Sequence, residues 1–180
     1  MKLVILDRDG VINQDSDDYV KSVDEWIALP GSAEAIARLS QAGIIVAVAT
    51  NQSGIARGYF SEQTLADMHA KMHELVEQAG GKISRVLWCP HGPDDQCSCR
   101  KPLPGMVSSL LDEFNVDAND AIMVGDSLRD LEAGAAVGVR PFLVKTGKGQ
   151  RTLDAGKTLP EGTGIYEDLS QLVAELLKQS

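Results

Sequence analysis

Two spacings of apolar residues alternate along this chain. Leu3-Val4-Ile5-Leu6 and residues 44–49 are unbroken apolar runs, the form taken by strands buried on both faces of a parallel sheet. Residues 86–88, 121–124 and 141–144 are shorter runs that read as further strands. Between them apolar positions recur at the helical period. Leu65, Met68, Met72, Leu75 and Val76 form one such stripe after Ser61, closed by Gly80-Gly81. Leu169, Leu172, Val173, Leu176 and Leu177 form another near the end of the chain. Start and stop residues predict further helices over 32–42, from Pro104-Gly105 through Phe114, and over about 128–137. This alternation predicts an α/β fold, a Rossmann-like parallel sheet flanked by helices.

At 180 residues the chain is long enough for one domain with a substantial core. No repeat, low-complexity tract or linker divides it, so residues 1–180 are expected to form a single domain. No apolar run approaches the roughly 20 residues of a membrane span. Asp7 and Asp9 interrupt the first run too early for a signal peptide, and a cytoplasmic location is expected. The net charge of −9 argues against nucleic acid and anionic membranes as partners.

Polar residues stand at the ends of these runs, and a parallel sheet brings its carboxyl ends to one edge, where such sheets bind ligands. Asp7 and Asp9 follow the first strand. Thr50-Asn51-Gln52-Ser53 follows the second. Arg100-Lys101 follows a cysteine-rich loop, and Gly125-Asp126, with Asp130 four residues on, follows the strand over 121–124. Two carboxylates as close as Asp7 and Asp9 require a cation or a raised pKa.

This inventory suits transfer of a phosphoryl group from a monoester. Asp7 is the candidate nucleophile, forming an aspartyl phosphate. Asp9 is the candidate acid for the leaving alkoxide and then the base for water. Asp126, Asp7 and the Asp9 backbone carbonyl offer hard oxygen ligands for Mg²⁺. Asp130 is expected to support them from behind. Thr50 and Lys101 are placed to bind phosphate oxygens.

The order aspartate pair, threonine, lysine, then Gly-Asp-x-x-x-Asp resembles the haloacid-dehalogenase-like phosphatases, over essentially the whole chain. The resemblance implies a Rossmann-like core, Mg²⁺ dependence and the aspartyl-phosphate route. The intervals 10–50 and 50–101 leave no space for a large cap domain. Finer likeness lies in residues 7–13, 50–58, 99–102 and 104–106, and it implies a phosphorylated sugar substrate and a monomer. It also implies that Asn51, Gln52, Ser53 and Arg57 line the phosphate site, that Asp15 to Asp18 reach the sugar, and that Arg100 and Lys101 stabilise the phosphoryl group. Ser127 stands where family members sometimes carry a lysine.

Cys89-x-His91 and Cys97-x-Cys99 offer four nitrogen and sulfur ligands in eleven residues. That set matches a closed, structural zinc site, with loop 89–99 folded around it. Zinc is expected to rigidify the loop and so fix Arg100 and Lys101.

Alternatives remain open. The acidic run 15–18 would suit histidinol phosphate, with its amine and imidazole. A phosphoacceptor signalling domain also surrounds an aspartyl phosphate with acids, a threonine and a lysine, but there the nucleophile follows a middle strand. A purely structural zinc protein would leave Asp7, Asp9, Thr50 and Asp126 unexplained. His69 and His73 are read as helix-flank residues without a third ligand. Thr146-Gly147-Lys148-Gly149 lacks the full phosphate-loop pattern and is read as a flexible loop after the last strand.

Overall fold

The computed structural model describes residues 1–179. Its strands are β1 (Leu3–Leu6), β2 (Ile45–Asn51), β3 (Arg85–Cys89), β4 (Ala121–Gly125), β5 (Arg140–Val144) and β6 (Gly164–Tyr166). Its helices are α1 (Ser32–Gln41), α2 (Glu62–Gln78), α3 (Gly105–Phe114), α4 (Leu128–Ala135), α5 (Gly149–Asp154) and α6 (Leu169–Lys178). The strands form one parallel sheet in the order β3-β2-β1-β4-β5-β6. That is the order of doubly wound nucleotide-binding sheets, and its switch point lies between β1 and β4.

The apolar run of β1 is continuous because both of its faces are covered. Val4 and Leu6 join Val46, Val48, Ile122 and Val124 under α1, α2 and α6. Leu3 and Ile5 join Ala47, Ala49 and Met123 under α3 and α4. All four β1 side chains are fully buried. The α6 stripe buries Leu169, Leu172 and Val173 in the first of these cores. Ser61 caps α2 by accepting the Thr64 N–H at 3.1 Å, an interaction typically worth about 1 kcal/mol.

Several boundaries differ from the sequence expectation. β2 runs on through Thr50 and Asn51, which pair with Trp88 and Cys89 of β3. These polar residues are held in the ladder because parallel pairing continues beyond the apolar run. β6 and α5 were not expected, so the strand over 141–144 is not the last. β6 is a three-residue edge strand with Ile165 exposed, and α5 opens on Gly149, a poor helix former. Neither carries a periodic apolar signal. Among the described residues no inserted domain covers the carboxyl edge of the sheet; the long connection from β3 to α3 is the cysteine loop.

Candidate active site

The switch point between β1 and β4 opens into a pocket of about 160 Å³. β1 delivers Asp7 and Asp9 to it, β4 delivers Asp126, and the β3–α3 connection delivers Arg100 and Lys101. Asp15, Tyr19, Asn51, Ser53, Ser127, Arg129, Asp130 and Lys148 complete the wall.

Asp7 is anchored through one oxygen. Its Oδ1 accepts the Arg8 N–H at 2.8 Å and Lys101 Nζ at 3.0 Å, while no protein donor occupies Oδ2 among the described residues. Lys101 is fully buried and also donates to Asp130 Oδ1 (2.6 Å) and the Ala49 carbonyl (2.8 Å). The two neighbouring carboxylates drive the ammonium pKa upward against its burial, so the lysine stays charged. Its backbone is clamped by Asn51, whose amide donates to the Lys101 carbonyl and accepts the Lys101 N–H, both at 3.0 Å. Asn51 therefore spends its polar atoms on the lysine.

Asp130 is saturated by protein donors. Besides Lys101, it accepts from the Asp126 N–H, the Ser127 N–H and the Ser127 hydroxyl at 2.9–3.2 Å. Among the described residues the Asp126 carboxylate accepts only the Lys148 N–H, at 2.9 Å on Oδ2. Asp7, Asp126 and Asp130 each bring an oxygen within 4.8 Å of the others. Burial, then the charge of Asp130, pushes Asp7 up to about 7. Burial, then the charge of Asp7, pushes Asp126 up to about 9. A set of buried carboxylates that resists ionisation fits a hard divalent cation, which would remove that repulsion.

Gly10 permits this crowding. It adopts φ +87°, and a β-carbon there would lie 1.9 Å from Asp126 Oδ2. Only a residue without a side chain lets the β1 loop pass so close to β4.

Asp9 is held differently. Burial would raise its pKa, but Arg8, Asn13 and Gln52 outweigh burial and lower it. Arg8 reaches Asp9 Oδ1 at 2.8 Å, Asn13 donates to the same oxygen at 2.8 Å, and Gln52 donates to Oδ2 at 3.2 Å. Arg8 is itself fully buried against His69, whose Nε2 lies 3.3 Å from Nη1. Arginine only donates, so Nε2 must accept and the proton sits on Nδ1. Burial, then the Arg8 charge, brings His69 down to about 3 and keeps it neutral. The flank reading of His69 is thus corrected: it is buried beneath the site, because α2 lays this face against the Arg8 side chain.

Thr50, Gln52, Asp18 and Arg57 are not brought to the pocket wall. Thr50 and Gln52 are buried behind it. The Thr50 hydroxyl accepts from Gln52 at 2.9 Å, and its proton is engaged only by a 3.5 Å contact to the Asn51 carbonyl. Asp18 and Arg57 are exposed outside the pocket. Arg57 lies 5.7 Å from the ring centroid of Tyr19, which lines the pocket.

The 146–149 run is fastened over the site, contrary to its reading as a flexible loop. Thr146 Oγ1 donates to the Gly10 carbonyl at 2.7 Å, the Lys148 N–H holds Asp126, and Lys148 Nζ pairs with Asp15 at 3.4 Å. Asp17 pairs with Arg151 at 3.1 Å. The acidity of the 15–18 run is therefore largely answered within the protein. The position of 146–149 after a predicted strand was the signal for Lys148, and Tyr19 and Arg129 had none.

The predicted cysteine cluster assembles. Cys89 is the last residue of β3, so the sheet anchors one ligand. His91 Nδ1 lies 3.4 Å from Cys89 Sγ and 3.3 Å from Cys99 Sγ. Cys89 Sγ lies 3.8 Å from Cys97 Sγ and 2.8 Å from Cys99 Sγ. Three of these four separations are near the edges of about 3.5–3.8 Å that a tetrahedral S/N zinc site requires, and the fourth is shorter. Burial, then a Cys99 contact, pushes Cys89 up to about 12, whereas the Arg100 N–H leads the effects that bring Cys97 down to about 7. The donor set is compatible with zinc. Arg100 Nη1 donates to the His91 carbonyl at 3.2 Å, joining this loop to the pocket.

A doubly wound sheet whose switch point gathers aspartates and a buried lysine defines a hydrolase of the haloacid-dehalogenase-like class. A family model described as HAD-hydrolase-like matches residues 98–172. The chain is 60% identical, over 98% of both chains, to the D-glycero-beta-D-manno-heptose-1,7-bisphosphate 7-phosphatase of Pseudomonas aeruginosa. The D,D-heptose 1,7-bisphosphate phosphatase of Bordetella bronchiseptica, crystallised with magnesium and phosphate, is 57% identical and superposes with a TM-score of 0.97 over all of both chains. The corresponding enzyme of Burkholderia thailandensis is 48% identical with a TM-score of 0.78, over 98% of this chain and 99% of that one. The chain belongs to the D-glycero-beta-D-manno-heptose-1,7-bisphosphate 7-phosphatase family.

Proposed function

We propose that this protein hydrolyses the C7 phosphate of D-glycero-β-D-manno-heptose 1,7-bisphosphate through an aspartyl phosphate on Asp7. The observation that carries this reading is the TM-score of 0.97 with the magnesium- and phosphate-bound relative. The product would serve assembly of the heptose precursor of the lipopolysaccharide core, in the cytoplasm. We take residues 1–180 to act as one domain and one monomeric unit.

Asp7, Asp126 and the Asp9 carbonyl would hold Mg²⁺, which when bound offsets charge on the phosphoryl oxygens. Lys101 pins Asp7 Oδ1, leaving Oδ2 to attack phosphorus as the bond to the C7 oxygen breaks. Asp9 delivers a proton to that departing oxygen, then withdraws one from the water that cleaves the aspartyl phosphate. In the free site Arg8, Asn13 and Gln52 keep Asp9 ionised. The incoming phosphate charge favours its protonated form. Thr50, behind the wall, accepts from Gln52, which also donates to Asp9, so Thr50 supports the proton-transfer carboxylate from behind. Ser53, Arg100 and Asp15 face the substrate from the pocket wall. Cys89, His91, Cys97 and Cys99 would hold Zn²⁺ as a structural brace for the Arg100 side.

The functional test is phosphate release with Mg²⁺, comparing heptose 1,7-bisphosphate with histidinol phosphate. The expected kcat/KM ratio is at least about a hundredfold in favour of the heptose, or about 2.7 kcal/mol of transition-state binding. A preference for histidinol phosphate would replace this reading. The pairing of Asp15 and Asp17 with Lys148 and Arg151 supports the sugar over a cationic substrate.

The raised carboxylates also predict a pH signature. Neutral Asp7 and Asp126 stabilise the metal-free fold at low pH. That contribution is lost as pH rises from about 4 through about 7 and 9. Bound Mg²⁺ stabilises the ionised cluster instead. Thermal unfolding with and without Mg²⁺ should therefore show a larger rise in Tm at pH 8 than at pH 5. An equal or smaller rise at pH 8 would contradict the assignment.

A further inference from the structure

Four cations line the pocket, in a chain whose net charge is −9. Two of the four are answered by acids. Lys101 is paired with Asp7 and Asp130, and Lys148 is paired with Asp15. Arg100 and Arg129 are the exceptions among the lining residues. Neither makes an ion pair among the described residues. Arg100 donates to the His91 carbonyl, and the exposed Arg129 side chain makes no hydrogen bond among the described residues. Both guanidinium groups line the same pocket.

Cations left unpaired at a pocket wall suit an anion supplied from outside. The reacting phosphate is already served by Lys101 and by the carboxylate cluster deeper in. A sugar 1,7-bisphosphate carries its second phosphate at the far end of the molecule from the reacting one. Arg129 stands in the first turn of α4, three residues after the metal-site carboxylate Asp126. One short segment thus brings both a carboxylate of the cluster and an unpaired cation to the pocket wall. Ser127, in the same segment, is uncharged, so Arg129 is its only cation.

We propose that Arg129, beside Arg100, binds the second, non-reacting phosphate of the substrate and sets the preference for bisphosphates over monophosphates. A planar guanidinium offers that phosphate two parallel hydrogen bonds. The inference rests on the function proposed above.

Arg129 is exposed and its side chain makes no hydrogen bond or ion pair among the described residues, so its variants should fold. The experiment compares wild type and Arg129→Ala, both with Mg²⁺, on heptose 1,7-bisphosphate and on heptose 7-phosphate, which lacks the second phosphate. Arg129→Ala is expected to raise KM for the bisphosphate roughly tenfold with kcat nearly unchanged. Its kinetics on the monophosphate should match wild type. Arg129→Lys should recover part of the loss, because it keeps the charge and loses the fork. An equal loss on both substrates overturns the inference, as does a variant that keeps the full wild-type preference. A wild type with no preference for the heptose bisphosphate overturns the functional reading itself, and the inference with it.

Discussion

Asp7→Asn is expected to lower kcat for phosphate release on the order of 10⁴-fold or more, the scale seen when an enzyme loses its nucleophile. The amide nitrogen that replaces Oδ2 does not attack phosphorus, and no neighbour can take its place. Asp126 is aimed by Lys148, Asp130 is saturated by four donors, and Asp9 is committed to Arg8, Asn13 and Gln52. The fold should survive. Asparagine keeps the carbonyl oxygen that accepts from the Arg8 N–H and Lys101. It also removes a charge that burial and Asp130 already disfavour. The variant should therefore melt no lower than wild type at pH 8 without Mg²⁺. Steady-state phosphate release and thermal unfolding together check both halves. Near-normal kcat would refute the covalent route. In the wild type, release of many phosphates per chain separates this enzyme from a signalling domain, which stops near one.

Cys99→Ser carries the second large effect. Structural zinc in small peptides binds with about 10–16 kcal/mol of apparent free energy, and a hydroxyl is a poor replacement for one thiolate of four. Zinc content measured by metal analysis should fall from one per chain to near zero. The domain should remain folded, because Cys89 is anchored in β3 and Cys99 is only a partly buried neighbour at the edge of the core that Cys89 joins. The site should respond unevenly. Lys101 keeps Asn51, Ala49, Asp7 and Asp130 as anchors, whereas Arg100 depends on the His91 carbonyl within the loop. Misplacing a substrate-positioning group by about 1 Å can cost up to 10²-fold. A loss of roughly ten- to a hundredfold in kcat/KM is expected, carried mainly by KM. A zinc-free variant with full activity would sever the loop from the site.

Asp7 and the cysteine cluster are both announced locally in the sequence. Asp7 follows four apolar residues that are buried on both faces of a sheet. A parallel strand of that kind ends at the ligand-binding edge. The cysteine and histidine spacing is equally local, and β3 only adds the anchor beneath Cys89. The uneven response of Arg100 and Lys101 was not legible. It depends on an Asn51 clamp fifty residues away in sequence. His69 shows the same limit. Its helical position beside an apolar stripe was plain, but only the packing of α2 against Arg8 turned it from a flank residue into a buried acceptor.

The sequence by itself determined the fold class, the order of catalytic segments and the two candidate metal-ligand sets. Each of these is written in short-range periodicity or in the spacing of a few residues. Only the tertiary structure decided how the polar groups are shared out. It gave Lys101 to Asp7 and Asp130, turned Asn51 and Gln52 inward, and closed the 146–149 run over Gly10 across 136 residues. It also paired Lys148 with Asp15 and left Arg129 without an ion pair among the described residues. The reason is physical. Burial and charge pairing depend on which side chains from distant segments meet in low dielectric at the switch point. No local pattern along the chain carries that information.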